Sequence, residues 1–175
     1  MLTAARLQRR RAFRRAALTL AGLLPFLAVA FSVSPARALT RQEAIVVVKL
    51  ITALSPEFGK LAYDEAAADD WFEADAESDN RITRAGFTRE SWRIALGATV
   101  TGYVACMPEA EFRAMLTTIR LRAENRGTLD GAQRRAMLEL VDEVTVRLEA
   151  MRIEGHDHAE IVRPLASRLR RVMVD

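Results

Sequence analysis

From Thr40 onward, apolar residues return every three or four positions, the spacing that lines one face of an α-helix. The first stripe is Ala44, Val47, Val48, Ile51 and Leu54, and Thr40-Arg41-Gln42-Glu43 supplies a capping box at its start. Ser55-Pro56-Glu57 is expected to stop this helix and open a second, with Pro56 at the first helical position, running to about Ala74. After a loop at residues 75–83, a third helix is predicted to about Ala105. Pro108 opens a fourth, with Phe112, Met115, Leu116 and Ile119 on one face, and Gly127 ends it. Asp130-Gly131-Ala132-Gln133 caps a fifth, with Met137, Val141, Val144, Leu148 and Met151 along it, and Gly155 is read as its stop. Asp157-His158-Ala159-Glu160 reads as another capping box, opening a last helix with Ile161, Leu165, Leu169 and Val172 inward. Only the β-branched run Ile45–Val48 competes as a strand. The pattern therefore predicts an all-α compact bundle of about five to six helices, with short connections that favour antiparallel neighbours. Gly97, Ala98, Thr101 and Ala105 put small side chains on one side of the third helix, and tight core packing is expected there.

Charge separates residues 1–38 from the rest. This segment has seven arginines and no acid, and all 23 acidic residues fall after it. The overall charge of +3 thus conceals a negatively charged body. The basic residues precede an apolar run from Ala16 to Val33, and Ala36-Arg37-Ala38 gives a small-x-small site, so residues 1–38 are predicted to be an export signal cleaved after Ala38. The length of the run also permits an uncleaved anchor, which Pro25 weakens. Residues 39–175 then form a single helical domain. Arg10-Arg11-Ala12-Phe13-Arg14-Arg15 resembles the twin-arginine export motif, with Arg9 where Ser or Thr is usual. That resemblance implies export in the folded state, whereas an ordinary secretory signal with a heavy basic end is the alternative. Either route leads to the periplasm or beyond.

The densest acidic stretch is Asp64, Glu65, Asp69, Asp70, Glu73, Asp75, Glu77 and Asp79, with no basic residue among them. Such charges need solvent, a partner or a cation, and Arg81, Arg84, Arg89 and Arg93 follow closely. Residues 58–98 resemble a degenerate EF-hand helix–loop–helix, with Asp75-Ala76-Glu77-Ser78-Asp79-Asn80-Arg81-Ile82-Thr83 as the first part of its calcium loop. Asp75, Glu77 and Asp79 match positions 1, 3 and 5, Asn80 the turn glycine, Arg81 a carbonyl ligand and Thr83 a water holder. The resemblance implies calcium held by Asp75, Glu77, Asp79, Arg81 and Thr83. Gly86 replaces the closing bidentate Glu, so binding is expected to be weak. Residues 122–133 give a fainter echo, in which Leu129 would meet Ile82, but arginine stands at two ligand positions. A glycine-ended helix followed by a capped one also accounts for them.

His156-Asp157-His158 contains both histidines and offers two imidazoles to zinc or copper, half of a tetrahedral set. Cys106, the single cysteine, lies in an apolar helical end and is expected to be a buried small hydrophobe. Arg163, Arg168, Arg170 and Arg171 give the last helix a basic face that fits peripheral contact with anionic lipid or an acidic partner. The negative body and the leader disfavour nucleic acid. No nucleophile–base–orienter set, phosphate loop or Cys-x-x-Cys is visible. The expected function is therefore a small exported, periplasmic, helical binding or interaction module without catalysis, whose partner is another periplasmic or envelope protein. A weak calcium-responsive module and a zinc or copper binder are the alternatives.

Overall fold

The computed structural model describes residues 38–61, 66–126 and 130–173, so the predicted export signal up to Arg37 lies outside the described residues. These residues form an all-α fold within one compact unit, Arg37–Asp175. The elements are α1 (Arg41–Phe58), α2 (Ala66–Ala76), α3 (Arg81–Arg84), α4 (Arg89–Cys106), α5 (Glu109–Glu124) and α6 (Gly131–Glu154). A 3-10 turn at Gly155–His158, α7 (Ala159–Val162), a second 3-10 turn at Arg163–Leu165 and α8 (Ala166–Val172) complete the chain.

The capping box of α1 forms as expected: Glu43 N donates to Thr40 Oγ1 at 3.2 Å and Thr40 N donates to Glu43 Oε2 at 3.0 Å. Pro56 does not divide this helix from the next. It sits in the last turn of α1, where its missing N–H removes one bond near the end of the helix rather than from the middle. The stop comes three residues later at Gly59, whose φ of 88° turns the chain and whose N–H closes on the Ser55 carbonyl at 2.9 Å. The second helix consequently begins at Ala66, well after the predicted start. The third predicted helix is likewise delayed to Arg89, where Thr88 and Ser91 cap reciprocally. Ser91 stands there in place of the Glu or Gln usual in such a box.

Gly155 does not stop α6 by turning left-handed. Its φ is −78°, and the chain passes through the 3-10 turn into α7 without a side-chain cap at Asp157. The predicted last helix is divided by Pro164, which cannot donate a helical bond.

α4 is the central element and packs against α1, α2, α6 and the 155–162 segment. Trp92 on α4 is fully buried, donates Nε1–H to the Ala68 carbonyl at 3.0 Å, and meets Phe87 edge-on at 5.7 Å. The tight crossing lies at Thr101 and Gly102 rather than along the whole small-residue stripe. A Cβ on Gly155 would fall 2.0 Å from the Thr101 carbonyl oxygen, and one on Gly102 would fall 2.9 Å from His158 Cβ and from Val162 Cγ2. Gly97, by contrast, has nothing near its Cβ direction. Arg152 closes the far end of α4, donating Nη1 to the carbonyls of Val104 (3.3 Å) and Met107 (2.9 Å) while its guanidinium lies over the Phe112 ring.

α5 and α6 run antiparallel, as the ion pairs Arg152–Glu109 (3.2 Å) and Arg120–Asp142 (2.8 Å) at opposite ends require. The tail is held by a parallel bridge in which Leu61 N donates to Val172 O at 2.8 Å.

The two glycine environments predict opposite substitution effects. Gly155→Ala must displace backbone and should cost about 1–3 kcal/mol or more. Gly97→Ala meets open space inside a helix and should gain up to about 1 kcal/mol. Urea unfolding followed by circular dichroism reads both, and equal shifts would contradict the contact described.

Candidate functional site

The acidic corner folds into a helix–turn–helix in which the ligand-like residues have separate surroundings. Asp75, at the end of α2, is 1% exposed, and its Oδ2 accepts from Ile82 N at 2.7 Å. Its main-chain carbonyl accepts from Ser78 N at 3.1 Å and Asn80 N at 2.8 Å. Asn80, matched above to the turn glycine, adopts the left-handed conformation, φ 53° and ψ 40°. α3 begins at the next residue, so the Arg81 carbonyl is taken by Ala85 N at 2.9 Å. Asp79 pairs with the Arg81 guanidinium at 2.7 Å, which also reaches Glu57 at 2.6 Å. Those hydrogen bonds, Glu57 first, raise the Arg81 pKa above its ordinary value. Glu77 and Thr83 are exposed. Arg89 pairs with Glu73 at 2.9 Å and Asp69 at 3.4 Å, as the downstream arginines suggested. Asp64, Glu65 and Leu129 lie outside the described residues.

The histidines sit in the 3-10 turn. Near 120° per residue, positions two apart point to different sides. His156 is exposed, and His158 is half-buried with its Cβ against Gly102. Among the described residues, no three of His, Cys, Asp and Glu gather as a group able to hold a metal ion.

Cys106 is buried, with Sγ 3.3 Å from the Tyr103 carbonyl, and burial pushes its thiol pKa up. Two of the four arginines of the predicted basic face are engaged: Arg163 with Glu160 at 2.7 Å, and Arg170 with Glu111 and with Tyr103. Arg168 and Arg171 are exposed. No helix among the described residues is long and apolar enough to cross a membrane.

The feature that sequence reasoning missed is a cleft of about 650 Å³ between α2, α4 and α6. Its apolar wall comes from Ala66, Ala67 and Ala68 on α2, Leu96, Gly97 and Val100 on α4, and Met151 on α6. Asp69, Arg93, Arg147, Glu154 and His158 also line it. Three successive alanines and a glycine cannot fill the space between helices that longer side chains hold apart. That composition is the signal in the sequence, but it acquires meaning only once α2 is known to face α4. Thr101, the hydroxyl in the lining, donates to the Ala98 carbonyl at 3.3 Å. Such a cleft can enclose an organic molecule on an apolar surface and orient it by charges.

Compared with family models, with curated proteins and with solved structures, the chain matches none.

Asp75 should be a stability determinant of the corner. Asp75→Ala strands the buried Ile82 N–H and is expected to cost about 1–3 kcal/mol, whereas Asp75→Asn retains an acceptor and should cost less. Equal losses in thermal unfolding would contradict this role. Cys106 should react with a thiol reagent only at the rate of unfolding, because both burial and its raised pKa suppress the thiolate. A fast stoichiometric reaction of the native protein would show the thiol to be open.

Proposed function

We propose that this chain is an exported, non-catalytic helical binding module, and that it binds a small organic ligand in the cleft between α2, α4 and α6. The cleft carries the reading. Its volume of about 650 Å³ lies within the range of ligand sites. It also joins an apolar wall to a few charged groups. The basic, apolar leader supports export. Nothing in the lining pairs a hydroxyl nucleophile with a base, since Thr101 gives its proton to a carbonyl.

The test has two parts. Cells expressing the full chain should yield a protein lacking residues 1–38 in the periplasmic or external fraction, whereas the intact polypeptide free in the cytosol would remove the export half. The purified wild type should release a small molecule on denaturation that mass spectrometry detects, and Gly97→Leu, which fills the cleft, should release far less. Equal release from the two proteins would argue against the cleft.

A further inference from the structure

We infer that the cleft selects a bipolar molecule, an apolar chain with a carboxylate at one end and a protonated amine at the other. This inference rests on the reading of the cleft as the ligand site, and it follows from where charge lies along α4.

Arg93 stands near the N-terminal part of α4 and lines the cleft, with no ion pair among the described residues. The neighbouring acid, Asp69, is already matched by Arg89 at 3.4 Å. Arg147 is engaged in an interaction of its own, so Arg93 is the arginine of the lining that can meet an incoming anion without giving up an ion pair among the described residues. The opposite end lies at Thr101. Gly155 abuts the Thr101 carbonyl, and His158 abuts Gly102, so Glu154 and His158 mark that end. Glu154 makes no ion pair among the described residues and offers a carboxylate to a cation. Residues 93 and 101 are separated by about 12 Å of helix axis at the usual rise per residue. The surface between them is Leu96, Gly97 and Val100, facing Ala67 and Ala68. It supplies few polar partners, so a peptide backbone would lose its hydrogen bonds to water there without replacement, whereas a hydrocarbon chain would not. Opposite charges at the two ends and an apolar middle complement an α,ω-amino acid better than a fatty acid or an alkylamine.

The protein purified from cells expressing the full chain is titrated calorimetrically with 8-aminooctanoate, octanoate and octylamine, whose chains span most of the distance between the charges. 8-Aminooctanoate should bind tightest. Arg93→Gln should weaken 8-aminooctanoate and octanoate about fivefold and leave octylamine unchanged, the factor an exposed ion pair of about 1 kcal/mol supplies. Glu154→Gln should weaken 8-aminooctanoate and octylamine similarly and leave octanoate unchanged. Equal affinities for all three probes, with neither variant altering them, would overturn the bipolar assignment while leaving an apolar ligand site intact. Binding that survives Gly97→Leu, or no binding of any probe at millimolar concentration, would overturn the proposal together with the cleft.

Discussion

The fold depends on one close backbone approach, that of the 155–158 turn to the Thr101–Gly102 segment of α4. Gly155 sits against the Thr101 carbonyl, and Gly102 sits against His158 and Val162, at distances no side chain tolerates. Everything C-terminal to α6 inherits its place from this contact. It turns the chain back across α4, so that Val162, Leu165, Leu169 and Val172 enter the same core as Val47, Ile51 and Leu54 of α1. Val172 then brings its carbonyl to Leu61 N–H and ties the tail to the segment beyond α1. Arg152 supports the same crossing from outside by bonding the carbonyls of Val104 and Met107 at the end of α4. Both carbonyls lie at the C-terminal end of α4, where that of Val104 also accepts from Met107 N at 3.4 Å, so the guanidinium closes α4 and fixes α6 to it at once.

The acidic corner shows how the charge density of α2 is accommodated. Arg81 and Arg89 take up Glu57, Asp69, Glu73 and Asp79 in exposed pairs, each of small energetic weight. Asp75 is different in kind. It is buried, and one oxygen fixes Ile82, itself fully buried, at the start of α3. The other oxygen accepts no hydrogen bond from the described residues. Burying a carboxylate is costly, and the return is a rigid corner that sets the entry of α4 beneath α2. Trp92 follows within that helix and bonds the Ala68 carbonyl, so the corner and the cleft wall are parts of the same arrangement.

Elements with a periodic stripe and an explicit cap were legible in the sequence. The start of α1 at Thr40 and of α6 at Asp130, the apolar faces of α5 and α6, the left-handed Asn80 and the burial of Cys106 were all readable from local chemistry. Misreadings came where one residue type has two physical uses. Pro56 is as compatible with the last turn of α1 as with the first turn of a new helix. Gly155 looked like a helix terminator because glycine so often is one, yet its φ is helical and its missing Cβ serves a contact with Thr101, a residue 54 positions earlier by the chain numbering. Asp157 and Glu160 had the spacing of a capping box, but a continuous 3-10 path leaves no helix start for them to cap. The cleft left only a run of small residues as its trace in the sequence, since it is a property of three helices facing one another and not of any local pattern.

Gly97 and Gly102 show why that last limit is physical. Both are glycines in the same helix, and the sequence offers no means of ranking them. Their five-residue separation rotates one from the other by about 140° around the axis. One direction meets the returning chain, where a missing side chain permits contact, and the other meets α2 and α6, where it leaves a void. A small residue in a helix therefore implies closeness only if a neighbour arrives there. On the cleft side the neighbours are held off, because Trp92 and the core beneath Ala68 set the height of α2, and the 155–158 crossing sets that of α6. The same two contacts that make the fold compact thus keep open the space that the proposed ligand would occupy, so that filling the cleft at Gly97 should alter binding without disturbing the crossing at Gly102.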